Sequence, residues 1–203
     1  MQRPRILAGF VQGTLAGLEP VVAGRVLARL APETRATLER SSRLAWLALE
    51  IDLELTHAIY AELGAAPARE MFRRNLSAAL DTPILRSLAQ GALRLFGASP
   101  ARLFSWAPKA YSQIYRDCGE MKFASDGPGS ARLELTRLPP VVAGSRDYLD
   151  GIAGAIEAGF DLMDLEGEVT IERLDPPAQR ACFRLTWEEE EEPLDCLPEP
   201  MGA

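Results

Sequence analysis

The chain reads as an α+β protein, with an N-terminal helical layer packed on a C-terminal four-stranded, mainly antiparallel sheet of ββαββ order. Three observations predict this. Apolar residues recur at helical spacing through most of residues 1–118. From Gly119 the period changes to two, and two hairpin signals flank a glycine-rich helix. The 203 residues are 47% hydrophobic and 25% charged, a balance that supports a buried core.

Residues 1–43 read as helical, with breaks at Glu19-Pro20 and Ala31-Pro32. Each proline suits the first turn of a following helix, where its missing N–H has no partner to lose. The stretch SSRLAWLALEIDLELTHAIYAELG supports two readings. Leu47, Leu49, Ile51, Leu53 and Leu55 alternate as a strand does, whereas Ile51, Leu55, Ala58, Ile59 and Leu63 share one helical face ending at Gly64. A short extended entry around Trp46, then a helix from about Asp52 to Leu63, satisfies both. Pro67 to Leu80 reads as a further helix. Asp81-Thr82-Pro83 starts another, which carries Leu85, Leu88, Leu93 and Phe96 on one side and stops at Gly97. Ser99-Pro100 opens the next, which Pro108 splits into 100–106 and 108–117.

Beyond Gly119, EMKFA, the turn SDGPGS and ARLELTRL form the first hairpin, closed by Pro139-Pro140. A helix from about Ser145 to Met163 places Tyr148, Ile152, Ile156, Phe160 and Met163 on one side. Its Gly151, Gly154 and Ala158 are small enough to let it approach a sheet closely. The second hairpin is EVTIERL, the turn DPPAQ and RACFRLTW, with Ala181, Phe183, Leu185 and Trp187 on one face. No linker and no internal repeat separates the halves, so residues 1–187 are expected to form one domain, 1–118 mainly helical and 119–187 ββαββ. The acidic, proline-punctuated segment 188–203 is expected to be a disordered tail.

Charge narrows the function classes. Seven of the 29 acids fall in residues 188–203, where no base occurs, so residues 1–187 hold 22 acids and 22 bases. Without a basic excess to release counterions from a phosphate backbone, nucleic-acid binding is not expected. No apolar run approaches the ~20 residues of a spanning helix, so no membrane span is expected. Cys118, Cys182 and Cys196 are odd in number and widely spaced, with no C-x-x-C pair, and His57 is the only histidine. Free thiols in a reducing cytoplasm are the simplest reading, and zinc is disfavoured. No phosphate-binding glycine loop, G-x-S-x-G or H-E-x-x-H occurs, so the reading leans away from an enzyme.

The run PARLFSWAPKAYSQIYRDCGEMKFAS, a polar turn, ARLELTRLPP, SRDYLDGIAGAIEAGF, EVTIERL and ACFRLTW resembles the 4-vinyl reductase domain. It also resembles the related fold of haem–nitric-oxide-binding domains and TRAPP vesicle-tethering subunits, with the closest likeness to bacterial proteins of about this length. The markers are Tyr115-Arg116, Gly119, Pro139-Pro140, Tyr148, Gly151 and Cys182-Phe183. The resemblance implies a sensory or regulatory domain, non-catalytic, that holds a small hydrophobic ligand between helices and sheet. The alternative is a protein–protein interaction module, as a homodimer or scaffold, without a small ligand. The haem-binding branch uses a histidine on a mid-chain helix and a Tyr-x-Ser-x-Arg motif. Here His57 lies far upstream and SQIYR lacks the motif, so no cofactor is expected and haem is disfavoured. The candidate ligand-binding residues are Phe104, Trp106, Tyr111, Tyr115 and Arg116, because aromatics supply apolar area with a polar tip.

Overall fold

The computed structural model describes residues 3–80 and 99–188. The helix expected after Pro83, Cys196 and nearly all of the acidic segment lie outside the described residues. The chain opens with a short strand, β1 (Arg5–Leu7), before three helices, α1 (Ala8–Ala16), α2 (Pro20–Arg29) and α3 (Pro32–Arg40). Pro20 and Pro32 occupy first-turn positions. A carboxylate from elsewhere in the chain tethers the third: Glu54 accepts from the Ala31 backbone N–H and from the Thr34 hydroxyl, each at 2.5 Å. Strand β2 (Trp46–Ala48) runs directly into α4 (Leu49–Leu63), which stops at Gly64 with φ 79°. The extended entry at Trp46 is therefore real, and the helix begins three residues before Asp52.

Helix α5 (Ala65–Leu80) follows, and after the gap come α6 (Pro100–Phe104), α7 (Ala107–Ile114) and a two-residue strand β3 (Tyr115–Arg116). The remainder is β4 (Glu120–Gly127), β5 (Ser130–Thr136), α8 (Pro140–Ala143), α9 (Arg146–Asp161), β6 (Gly167–Asp175) and β7 (Arg180–Trp187). The last four strands join in one antiparallel sheet of order β4-β5-β7-β6, as the hairpin patterns predict. Leu133 pairs with Phe183 and Ala131 with Leu185, so the apolar residues of both hairpins share the buried face. The opposite face is charged, with Arg132 paired to Asp126 and Arg184 to Glu172.

Two features depart from the sequence expectations. A second, three-stranded sheet of order β2-β1-β3 brings together Arg5–Leu7, Trp46–Ala48 and Tyr115–Arg116. Its strands are two or three residues long, too short to show alternation, and they exist because of long-range pairing. The small residues of α9 meet a helix rather than the sheet. A Cβ on Gly154 would lie 2.5 Å from the Arg69 carbonyl oxygen of α5, and one on Gly151 would press on the Phe72 ring. Arg69 locks this contact by donating to Asp150 at 2.6 Å and to Glu157 at 2.7 Å. Glu157 also accepts from the Val169 N–H of β6. One continuous apolar core runs from Ile6 and Leu55 through Leu149 and Phe160 to Phe183 and Leu185.

Candidate functional site

The fold distributes the five candidate aromatic and basic residues over three environments. Phe104, at the end of α6, is buried and meets Phe160 of α9 edge-on at 4.8 Å between ring centroids. Trp187 of β7 completes this cluster, 6.4 Å from Phe104 and 6.3 Å from Phe160. The Trp187 residue is only 8% exposed, and among the described residues its buried indole Nε1–H has no hydrogen-bond partner. Buried polar groups in native proteins are nearly always paired, so an unpaired donor among the described residues is unusual.

Tyr111 and Tyr115 belong to a second cluster, where α7 turns into β3. Their rings stack at 4.5 Å, and the Tyr111 hydroxyl donates to the Cys118 carbonyl at 2.9 Å. The Tyr115 hydroxyl lies 3.3 Å from that of Tyr148 on α9, which donates to Asp52 Oδ2 on α4 at 2.5 Å. Asp52 is 4% exposed. Burial pushes its carboxyl up to about 6, with the Tyr148 hydrogen bond pulling the other way. Burial likewise holds the hydroxyls of Tyr115 and Tyr148 well above the usual tyrosine range. The remaining two candidates face outward. Trp106 is 43% exposed beneath the Lys109 ammonium at 4.9 Å, and the Arg116 guanidinium lies 3.9 Å over the Trp46 ring.

Sequence reasoning missed Asp52, Tyr148, Phe160 and Trp187 as partners in these clusters. For Asp52 a signal was present: on a helix, Leu49, Asp52, Leu55, Thr56 and Ile59 share the buried face, so an acid stood where an apolar residue was expected.

His57 sits at the surface on α4, and its Nε2 lies 2.7 Å from the Ser145 hydroxyl that caps α9. Both line an open groove of about 550 Å³, with Glu50, Leu53, Glu54 and Val141. Cys118 and Cys182 are buried, and burial pushes each thiol up to about 11, so neither is an activated nucleophile. Among the described residues no group of three or more His, Cys, Asp or Glu is placed to hold a metal ion, and no helix is long and apolar enough to cross a membrane.

No protein-family model matches the chain, and no curated protein does. Solved structures do. The Fe(II) unliganded H-NOX protein from K. algicida superimposes with a TM-score of 0.63 at 10% identity, over 92% of this chain and 98% of that one. The chain shares the H-NOX fold. The S. oneidensis H-NOX protein in its Fe(II)NO ligation state matches at TM-score 0.57 and 11% identity, over 89% of this chain and 99% of that one. A structure from work on heme distortion in the H-NOX family matches at TM-score 0.57 and 12% identity, over 91% and 96%. The haem–nitric-oxide-binding part of the sequence resemblance is thus the part these structures support.

The neighbours also correct one expectation. The sequence disfavours haem on a missing motif and on the upstream position of His57, yet solved proteins of this fold carry iron and haem, so neither ground is an argument against the group. Histidine ligation is a separate matter. His57 is the only histidine of the chain, and it lies at the surface, with its Nε2 beside Ser145. The residues present therefore do not fit an iron held by histidine inside the helix–sheet core. The Trp187 N–H is a donor without an acceptor among the described residues.

Proposed function

We propose that this chain is a non-catalytic sensory or regulatory domain that holds a small, mainly apolar ligand between its helices and its four-stranded sheet. The Trp187 indole N–H anchors the one polar atom of that ligand. The observation that supports this reading is a buried Nε1–H that has no acceptor among the described residues, in the cluster of Phe104, Phe160 and Trp187. Leaving a buried donor unanswered costs roughly 1–3 kcal/mol. A ligand carbonyl, ether or carboxylate oxygen removes that penalty, while the aromatic rings supply the apolar contact. The fold adds support, since its solved neighbours include proteins named for Fe(II) and NO ligation states. The alternative, a docking module, draws less support. Among the described residues the exposed large apolar side chains, Val21, Leu44, Trp106 and Val141, come from four separate segments of the chain.

Native mass spectrometry of the purified full chain, before and after organic extraction, tests the reading. A retained mass that extraction removes, and that Trp187→Phe loses, is the expected result. A Soret band in the same sample would identify that mass as haem. A bare polypeptide mass, together with a Trp187→Phe variant more stable than wild type, would overturn the proposal. In that case the phenyl ring has only removed an unpaired donor.

A further inference from the structure

Beneath the outer surface of α4 lies a polar chain that the ligand reading does not use. Asp52 is buried among Leu49, Leu55 and Ile59, and one hydroxyl, that of Tyr148, is its hydrogen-bond donor. Tyr148 is linked in turn to Tyr115, the β3 residue whose Cα pairs with Ile6 of β1. Three elements distant in sequence, α4, α9 and β3, therefore meet through one carboxyl group and two hydroxyls.

Among the described residues, cations of β1, β3, α5 and α2 are turned to other partners. Arg5 of β1 reaches Asp117 at 3.8 Å, and Arg116 of β3 lies over Trp46. Arg69 of α5 is held by Asp150 and Glu157, and Arg25 and Arg29 of α2 by Glu62. From α7, Tyr111 faces Tyr115 and donates to Cys118. The Cys118 Sγ lies 3.4 Å from the Arg5 carbonyl oxygen and 3.2 Å from that of Arg116, the two acceptors open to its one proton. On α4, Glu50 and His57 lie at the surface, and Glu54 is bound to the start of α3. Asp147 and Asp150 of α9 add negative charge on the side of Tyr60, not a cation for Asp52.

A carboxylate deep in an apolar core needs several donors or a cation to be stable there. Among the described residues Asp52 has a single side-chain donor, the Tyr148 hydroxyl. We propose that the Asp52–Tyr148–Tyr115 joint is a proton-held latch. With Asp52 protonated it clamps α4, α9 and β3 together. When Asp52 loses its proton, the joint opens to admit water and frees β3 and the β1 strand paired with it. The balance is simple: one proton leaves the carboxyl group for solvent, and no covalent bond changes. The direction follows from linkage, because the closed joint binds the proton more tightly than an open, hydrated one.

The test uses the full chain with ¹³C-labelled aspartate and ¹⁵N amides. The Asp52 carboxyl should titrate near pH 6, about two units above an ordinary aspartate. Protection of the Ile6 and Tyr115 amides, corrected for intrinsic exchange, should fall roughly tenfold between pH 5 and pH 7, as such a shift implies. Asp52→Asn, a neutral mimic, should keep the high protection at both pH values. Tyr148→Phe keeps the carboxyl but removes its donor, and should move the midpoint further upward. An Asp52 midpoint near the ordinary value of 3.8, or wild-type protection that is equal at the two pH values, would overturn the latch. Neither result depends on whether a ligand occupies the Trp187 cluster.

Discussion

The two sheets of this molecule are stabilised by different physics. The four-stranded sheet presents Leu133, Leu135, Phe183 and Leu185, all fully buried, to an apolar interior. The three-stranded sheet meets the core through Ile6 and Leu47, but its neighbour is the Asp52–Tyr148–Tyr115 chain. The side chains on the buried face of the first are apolar, and its titrating groups lie elsewhere, Glu157 against the β6 backbone and Glu172 beside Arg184 on the opposite face. The second has a carboxyl group at its heart and therefore carries a pH dependence. An apolar face contributes stability without conditions, whereas a buried acid contributes it only in one protonation state.

Removing packing from the large sheet gives the biggest expected effect. Phe183→Ala deletes a fully buried ring and should cost about 3–5 kcal/mol in urea denaturation. The loss should be the same at pH 5 and pH 7.5, and a loss that changed with pH would erase the contrast between the two sheets. Next comes the acid. Its folded-state value is raised, so its stabilising contribution is complete below about pH 4 and is lost as pH rises through about 6. A rise of about two units corresponds to roughly 3 kcal/mol. Wild-type stability should therefore fall over this range relative to Asp52→Asn, whose profile should be flatter. Asp161, held below the usual carboxylate range by Arg73, acts in the opposite sense and only at more acidic pH. The smallest effect belongs to that ion pair. Arg73 and Asp161 are both about a third exposed, and a double-mutant cycle should return less than about 1 kcal/mol. A larger coupling would mean that surface charge, not packing, joins α5 to α9.

The strands, turns and buried face of the large sheet were legible in the sequence because each is a local pattern. Ala131, Leu133 and Leu135 alternate over five residues, and so do Ala181, Phe183 and Leu185. The candidate site was only partly legible. Phe104, Tyr111 and Tyr115 do sit in buried clusters, but their partners Phe160, Trp187, Tyr148 and Asp52 come from distant elements. The haem argument failed for a related reason: at 10–13% identity, a fold outlasts the motif that was sought in it.

By itself the sequence determined the strands of the four-stranded sheet, which side of each hairpin is apolar, and that 188–203 is acidic. Those properties are set within a few residues by periodicity and turn chemistry. Only the tertiary structure decided that a three-stranded sheet forms, that α9 packs its glycines on α5, and that Asp52 is buried beside Tyr148. Each of these depends on groups tens of residues apart meeting within a few ångströms. There burial, not composition, sets what a side chain does.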